Sequence, residues 1–428
     1  MPADVIQSGN YTLELDTGWL INAFTLGDST KGVLGNTSFV LGGDNQYADI
    51  TDYCRTINYR RGRQSDSDQF GAGTMSFVLD DDLAGGILSP YDQSSPYYDP
   101  NNNEPGLAPL RKIRLYRDST PIFVGVVLNY NLDFAIGART LVNVTCADDF
   151  YKLSQAYIDA YNPSEELSNI RVEAILDLPE INLFTGIGQR SIQTSTQTLG
   201  GSNQYNVEQG TNALSYIQAL QQAEAGRCYM SAGGVFTWQK RIGFTLSAPV
   251  IEFSDHDDTK TQYTDVNIDF DATDVINRAT VTTLAGSPQT AEDAASIAKY
   301  FVQGKNISGS VLHNDTAALN LAEYLLFPNP EPRYTQVTTN LALLTDTQRA
   351  TVVTADIGAT ISIDKTLNGT PSSLLAELSI EGVEGQIDFA TGHTITFWTA
   401  PTDVRFQFII GDGLYGVIGV TNPQPILT

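Results

Sequence analysis

Hydrophobic and polar positions alternate with a period of two along much of the chain. Thr74-Met75-Ser76-Phe77-Val78-Leu79 and Thr140-Leu141-Val142-Asn143-Val144-Thr145 are the clearest runs. Residues 275–283, 336–344, 360–363 and 393–398 read the same way. Such runs predict strands with one face buried and one wet. Turn punctuation separates them, as at Gly42-Gly43-Asp44-Asn45 and Leu367-Asn368-Gly369.

Helical spacing is local by comparison. Leu167, Ile170, Ala174 and Ile175 follow Pro163-Ser164. Leu214, Ile217 and Leu220 follow a cap at Thr211 or Asn212, with Gly226 as the stop. Thr290 with Asp293 predicts a helix over 291–301, and Asp315 opens another that ends at Pro328. The expected fold class is mainly β with an α/β middle.

Four regions follow: a first β domain over 1–150, an α/β middle over 151–255, a second β-rich domain with helices over 256–400, and a C-terminal β segment over 401–428. The first contains a Gly-, Pro-, Asn- and Tyr-dense stretch at 84–109, a loop long enough to suggest contact with a partner. One motif occurs twice. Residues 24–37 (FTLGDSTKGVLGNT) and 408–421 (FIIGDGLYGVIGVT) share Phe, Gly, Asp, Gly, Val, Gly and Thr in register, the pattern of a hairpin-like unit with glycines where φ is positive.

Composition narrows the function. Of 428 residues, 41% are hydrophobic, enough for a substantial core. No run of 18 apolar residues occurs, and the first residues lack the basic and apolar segments of a signal peptide, so neither a membrane span nor secretion is expected. With 24 basic and 49 acidic residues the net charge is −25, which disfavours nucleic acid or an anionic membrane as the main partner. Cys54, Cys146 and Cys228 lie too far apart for a zinc site and read as free, buried thiols.

Catalytic signatures are missing: no HExxH, phosphate loop, nucleophile elbow or CxxC occurs. Gly411-Asp412-Gly413-Leu414-Tyr415-Gly416 spells G-x-G-x-x-G, but Pro423 and Pro425 stand where the required helix would run. His256, His313 and His393 show no metal-ligand spacing, and the Asp80-Asp81-Asp82 and Asp255-His256-Asp257-Asp258 runs read as solvated loop charge rather than calcium sites. No cofactor, metal or catalytic residue is expected. Basic residues cluster instead: Arg55, Arg60, Arg61 and Arg63, then Arg111, Lys112, Arg114 and Arg117, account for eight of the 24. In so acidic a chain, Arg60, Arg61, Arg63, Arg111, Lys112 and Arg114 are candidate intersubunit contacts. Tyr97 and Tyr98 of the long loop join them.

An ordered series of segments marks the first domain: Asp49-Ile50-Thr51-Asp52-Tyr53, Ile57-Asn58-Tyr59-Arg60-Arg61-Gly62-Arg63, Phe70-Gly71-Ala72-Gly73-Thr74, Phe77-Val78-Leu79-Asp80, Tyr98-Asp99-Pro100, Pro109-Leu110-Arg111 and Phe123-Val124-Gly125. Over residues 39–148 this order resembles the minor tail proteins of long-tailed bacteriophages, especially the actinobacterial-phage type that forms the tail-tip hub. Gly226-Arg227-Cys228-Tyr229, Val275 to Thr282 and Leu321 to Leu326 fit the same family. The long stretch after Asp80 departs from it. The resemblance implies two tube-like β-barrel domains per chain and a homotrimer that joins a hexameric tail tube to a threefold tip. It implies tail-tube, distal-tail, tape-measure and tip or fibre proteins as partners, DNA passing through the lumen without specific binding, and synthesis in the host cytoplasm before assembly at the virion tail tip. Two alternatives are a tail-associated cell-wall hydrolase and a carbohydrate-binding tail protein that stacks sugars on Tyr91, Tyr97 and Tyr98.

Overall fold

A computed structural model describes residues 11–402 except 22, 28, 37, 42–45, 66–67, 100–102, 135–136, 138, 242–247, 367–372 and 389–391. The chain opens with seven strands: β1 (Tyr11–Asp16), β2 (Tyr47–Asp49), β3 (Cys54–Gly62), β4 (Thr74–Asp80), β5 (Lys112–Arg117), β6 (Thr120–Asp133) and β7 (Leu141–Ala147). Their alternation is the one the sequence carries. In β7, Val142, Val144 and Cys146 are buried while Asn143 and Thr145 are exposed.

The middle region packs α1 (Ser168–Leu176) and α2 (Ala213–Glu224) with a small sheet of β8 (Arg190–Ile192), β9 (Arg227–Met230) and β10 (Phe236–Gln239). Asn212 is the N-cap of α2, its side chain accepting from Ser215 N at 3.0 Å. Buried Arg171 holds the region together, donating to Glu166, to the carbonyls of Ser164 and Gly200 and to the Tyr216 hydroxyl.

The last region brings β11 (Ile251–Ser254) and β12 (Asp265–Asp269), then a small α/β insertion, then five more elements. The insertion contains β13 (Arg278–Thr283), β14 (Gln289–Glu292), α3 (Ala294–Tyr300), β15 (Gly304–Ser310) and α4 (Asp315–Tyr324). It is closed by paired backbone bonds between Ile276 and Phe327. After it come β16 (Arg333–Asn340), α5 (Asp346–Thr354), β17 (Thr360–Thr366), β18 (Ser373–Asp388) and β19 (Gly392–Pro401).

The first and last regions share one 13-stranded sheet in the order β12-β16-β19-β18-β3-β4-β7-β6-β5-β1-β2, with β17 on β18 and β11 on β17. Its seam is the antiparallel pairing of β18 with β3, from Gly382–Gly62 to Asp388–Thr56.

Several local expectations change. The helix expected over 291–301 begins only at Ala294, capped by Asp293, because Thr290 is spent in the β13–β14 ladder, where its hydroxyl meets that of Thr280 at 2.9 Å. Of the Asp80–Asp82 run only Asp82 is exposed. Asp80 is buried and paired with Arg55 and Arg139, and Asp81 accepts from Leu88 N at 2.9 Å. No hairpin ladder forms among the described residues of 24–36; Gly27 and Gly35 do take positive φ, and the segment bridges only between Ala23 and Val40. The second copy of that motif, at 408–421, lies outside the described residues, as does the G-x-G-x-x-G of 411–416. All three cysteines are buried and free. Among the described residues no helix is long and apolar enough to cross a membrane.

Candidate functional site

The shared sheet has two unlike faces. On one, cross-strand partners form the row Tyr130–Val144–Phe77–Ile57–Ile387–His393 and beside it Val127–Cys146–Met75–Tyr59–Gly385–Ile395. These rows are core, and each large apolar side chain buried there contributes about 1.5–3 kcal/mol. Tyr59 lies across Gly385, where a Cβ would meet its ring at 2.2 Å.

The opposite face is open and polar. One row runs Asn129–Thr145–Ser76–Asn58–Gln386–Thr394–Asn340, crossing seven strands from the first region into the last. The next runs Thr74–Arg60–Glu384–Thr396–Thr338–Asp265. Hydroxyls and amides tie neighbours together, as between Thr338 and Thr396 at 2.8 Å. A shallow groove of about 480 Å³ lies over Asn58, Thr74, Ser76, Thr145 and Gln386. The first row offers uncharged hydrogen-bonding groups, and the second adds Arg60, Glu384 and Asp265.

Where the three regions meet, an ion network fixes them. Glu381, buried in β18, receives Arg63 from the end of β3 at 2.7 Å and Arg227 from β9, whose Nε is 3.1 Å from Oε1. Arg227 also donates to Ser379 Oγ at 2.8 Å. Burial alone would raise the Glu381 carboxyl, but the two guanidiniums outweigh it and hold it below the usual range. Alongside, Arg61 donates to Asp356 at 2.7 Å, Asp356 accepts from Ala232 N at 2.8 Å, and the Tyr229 hydroxyl donates to Ile357 O at 2.8 Å. Farther along the buried face, His393 sits between the Tyr11 hydroxyl at 2.8 Å and the Tyr59 hydroxyl at 3.0 Å, joining β19 to β1 and β3.

No protein-family model matches the sequence, and no curated protein matches it. Solved structures do match. The tail protein from Neisseria meningitidis MC58 superposes with a TM-score of 0.58 at 11% identity, covering 91% of this chain and 96% of that one. The 43 kDa tail protein of prophage MuSo2 from Shewanella oneidensis superposes at 0.54 with 8% identity, covering 83% and 95%. The fold is that of a phage tail protein.

Within this tail-protein fold the candidate contact residues separate into groups. Arg61 and Arg63 are consumed inside the chain by Asp356 and Glu381, and Arg63 also lies 4.7 Å from the Phe70 ring centroid. Lys112 pairs with Asp149, and Arg111 lies 3.6 Å from Glu104. Arg114 stacks at 3.8 Å over Tyr47. Arg60 makes no ion pair among the described residues and stands in the middle of the polar face. Tyr97 is half-buried and its carbonyl accepts from Trp19 Nε1 at 3.4 Å, while the Tyr98 hydroxyl donates to Asn103 at 2.9 Å. Tyr91 is 86% exposed.

Glu381, Arg227, Asp356 and His393 went unnoticed as sites in the sequence. Two segments that carry the sequence resemblance do meet here, Arg61-Gly62-Arg63 against Arg227-Cys228-Tyr229 across Glu381 and Asp356. Among the described residues no group of three or more His, Cys, Asp or Glu side chains gathers to hold a metal ion.

Proposed function

We propose that this chain is a structural protein of a phage tail tip, the hub that joins the hexameric tail tube to a threefold tip. The observation that carries the reading is the sheet shared by both β regions, whose one face is a polar row crossing seven strands. Set around a channel, the Asn129-to-Asn340 row presents only uncharged amides and hydroxyls, and in the next row Arg60 stands across from the Glu384 carboxylate, which suits DNA passage without specific binding.

Three chains, each with tube-like domains at 1–150 and 256–400, would form a pseudo-sixfold ring matched to a hexameric tube on one side. The tail tube, distal tail, tape-measure and tip or fibre proteins are then its neighbours. Of the candidate basic contacts, Arg114, which forms no ion pair among the described residues and lies off the polar face's central rows, is the one left to meet a carboxylate of another subunit. The role is assembly rather than catalysis, in a protein made in the host cytoplasm and carried at the virion tail tip. Immunogold labelling of particles with antibodies to this chain tests the reading. Label confined to the tail end opposite the head supports it; label absent from intact particles and opened tails overturns it.

A further inference from the structure

A second surface opens beside the polar face, next to Glu384 and Trp398. A cleft of about 690 Å³ opens where the β3–β4 loop, α2, the end of β10, β12, the α/β insertion and β19 converge. That volume falls within the range of about 300–1,000 Å³ usual for ligand sites, room for roughly two or three sugar rings.

Its lining is unusual in side-chain amides. Gln64, Gln69, Gln218 and Gln222 all border it. Gln218 spends its Nε2 on the Phe70 carbonyl at 2.7 Å, which leaves its oxygen open. Gln64, Gln69 and Gln222 use no side-chain atom for a hydrogen bond among the described residues. Deeper in the wall, Gln221 is 6% exposed and its Oε1 is buried with no partner, although its Nε2 donates to Gly226 O at 3.3 Å. An unpartnered buried acceptor costs about 1–3 kcal/mol, so a donor supplied from outside would be favoured there.

The remaining walls narrow the ligand. Trp398 stands half-exposed at the rim, its indole N–H on Glu384 Oε2 at 3.3 Å, so the ring is held as an amphipathic platform. Charges of both signs share the cleft. Arg333 is engaged by Asp274 at 3.3 Å and Arg241 lies 4.5 Å from the Tyr324 ring centroid, while Asp269 and Asp271 are exposed. With mixed charge inside and a net charge of −25 around it, a polyanion would be repelled before arrival. A purely apolar ligand would leave the amides unpaired. Each amide offers a donor and an acceptor together, the complement of a hydroxyl pair.

We propose that this cleft binds an oligosaccharide, uncharged or bearing one acid group, with the glutamines holding its hydroxyls and Trp398 stacked on one ring face. The inference stands apart from the tail-tip reading, since the cleft belongs to one chain. It differs from sugar stacking on the 84–109 loop, none of whose residues lines the cleft.

The test probes the full chain with a printed panel of bacterial surface oligosaccharides, then titrates the tightest-binding oligosaccharide by calorimetry. Gln222→Ala and Trp398→Ala, both on exposed or half-exposed side chains, should each weaken binding by about tenfold, the loss of one or two hydrogen bonds or one stacking contact. Tyr91→Ala should bind as the unaltered protein does, and circular dichroism checks that each variant is folded. No binding to any oligosaccharide of the panel would overturn the proposal. So would binding that survives both cleft substitutions, or binding lost only in Tyr91→Ala.

Discussion

The Nε of Arg227 lies 3.1 Å from Oε1 of Glu381, although 154 residues separate the two in the chain. Arg63 binds the same carboxylate through Oε2, so one buried anion joins the first, middle and last regions. Removing the anion would leave two guanidiniums facing each other in a dry site. Glu381→Gln is therefore expected to cost about 3–5 kcal/mol of stability, measured by urea unfolding. A loss below about 1 kcal/mol would show that the network is not what fixes the regions. Because the Glu381 pKa is depressed in the fold, its contribution is present above its ordinary value of 4.5 and is lost as pH falls below that.

Two other buried groups should act in opposite directions. Asp148 is pushed up to about 7 by burial, against the pull of the Gly73 and Phe150 amides and of Arg61. Its carboxyl favours the fold when protonated, so its contribution falls as pH rises from its ordinary 3.8 towards 7. His393 is pushed down to about 3, by burial first and then by Arg117, so its contribution is present above 6.5 and is lost as pH falls. Between 4.5 and 6.5 the two slopes, each up to about 1.4 kcal/mol per pH unit, oppose one another. Asp148→Asn should then make stability rise with pH across that window, and His393→Gln should make it fall. Melting temperatures from pH 4.5 to 6.5 read this out; parallel profiles for the two variants would contradict it.

Much of the fold was legible and the network was not, for one physical reason. Strand alternation and caps are local, so Thr74–Leu79 and the Asn212 cap stood in the sequence. The capping box at Thr345 and Gln348 was legible too and went unread, hidden behind the strand-like run of 336–344. Cross-strand register is non-local: Asn58 faces Gln386 only because β3 meets β18, and nothing near either residue encodes that meeting. The pairing of Glu381 with Arg227 was invisible for the same reason. The basic cluster at Arg60–Arg63 was visible as charge, but which of its members are spent inside the chain depends on acids some 300 residues away.

Gly385 supplies a packing test. Gly385→Ala places a Cβ 2.2 Å from the Tyr59 ring, and Tyr59 cannot withdraw without releasing His393 Nε2 at 3.0 Å. The expected loss is about 1–3 kcal/mol. Adding Tyr59→Leu to the same chain should recover part of the clash, so that the double variant is more stable than the sum of the singles implies. Simple additivity would place the strain elsewhere.

The polar face is open to a functional test. Ser76→Lys, Thr145→Lys and Gln386→Lys together add three cations to exposed positions without touching the core. Tails should assemble normally, while DNA release should slow severalfold and regain speed at high salt, because lysines facing a channel would hold phosphates. Unchanged release kinetics would mean that DNA does not pass this face.

The most direct measurement is an electron cryomicroscopy reconstruction of the tail tip from intact particles. The account predicts three copies of this chain in a ring at the end of the tube, with the Asn129–Thr145–Ser76–Asn58–Gln386–Thr394–Asn340 row turned to the channel. A tip ring built without this chain, or one in which that row faces outward and the apolar core face lies nearer the channel, would contradict it.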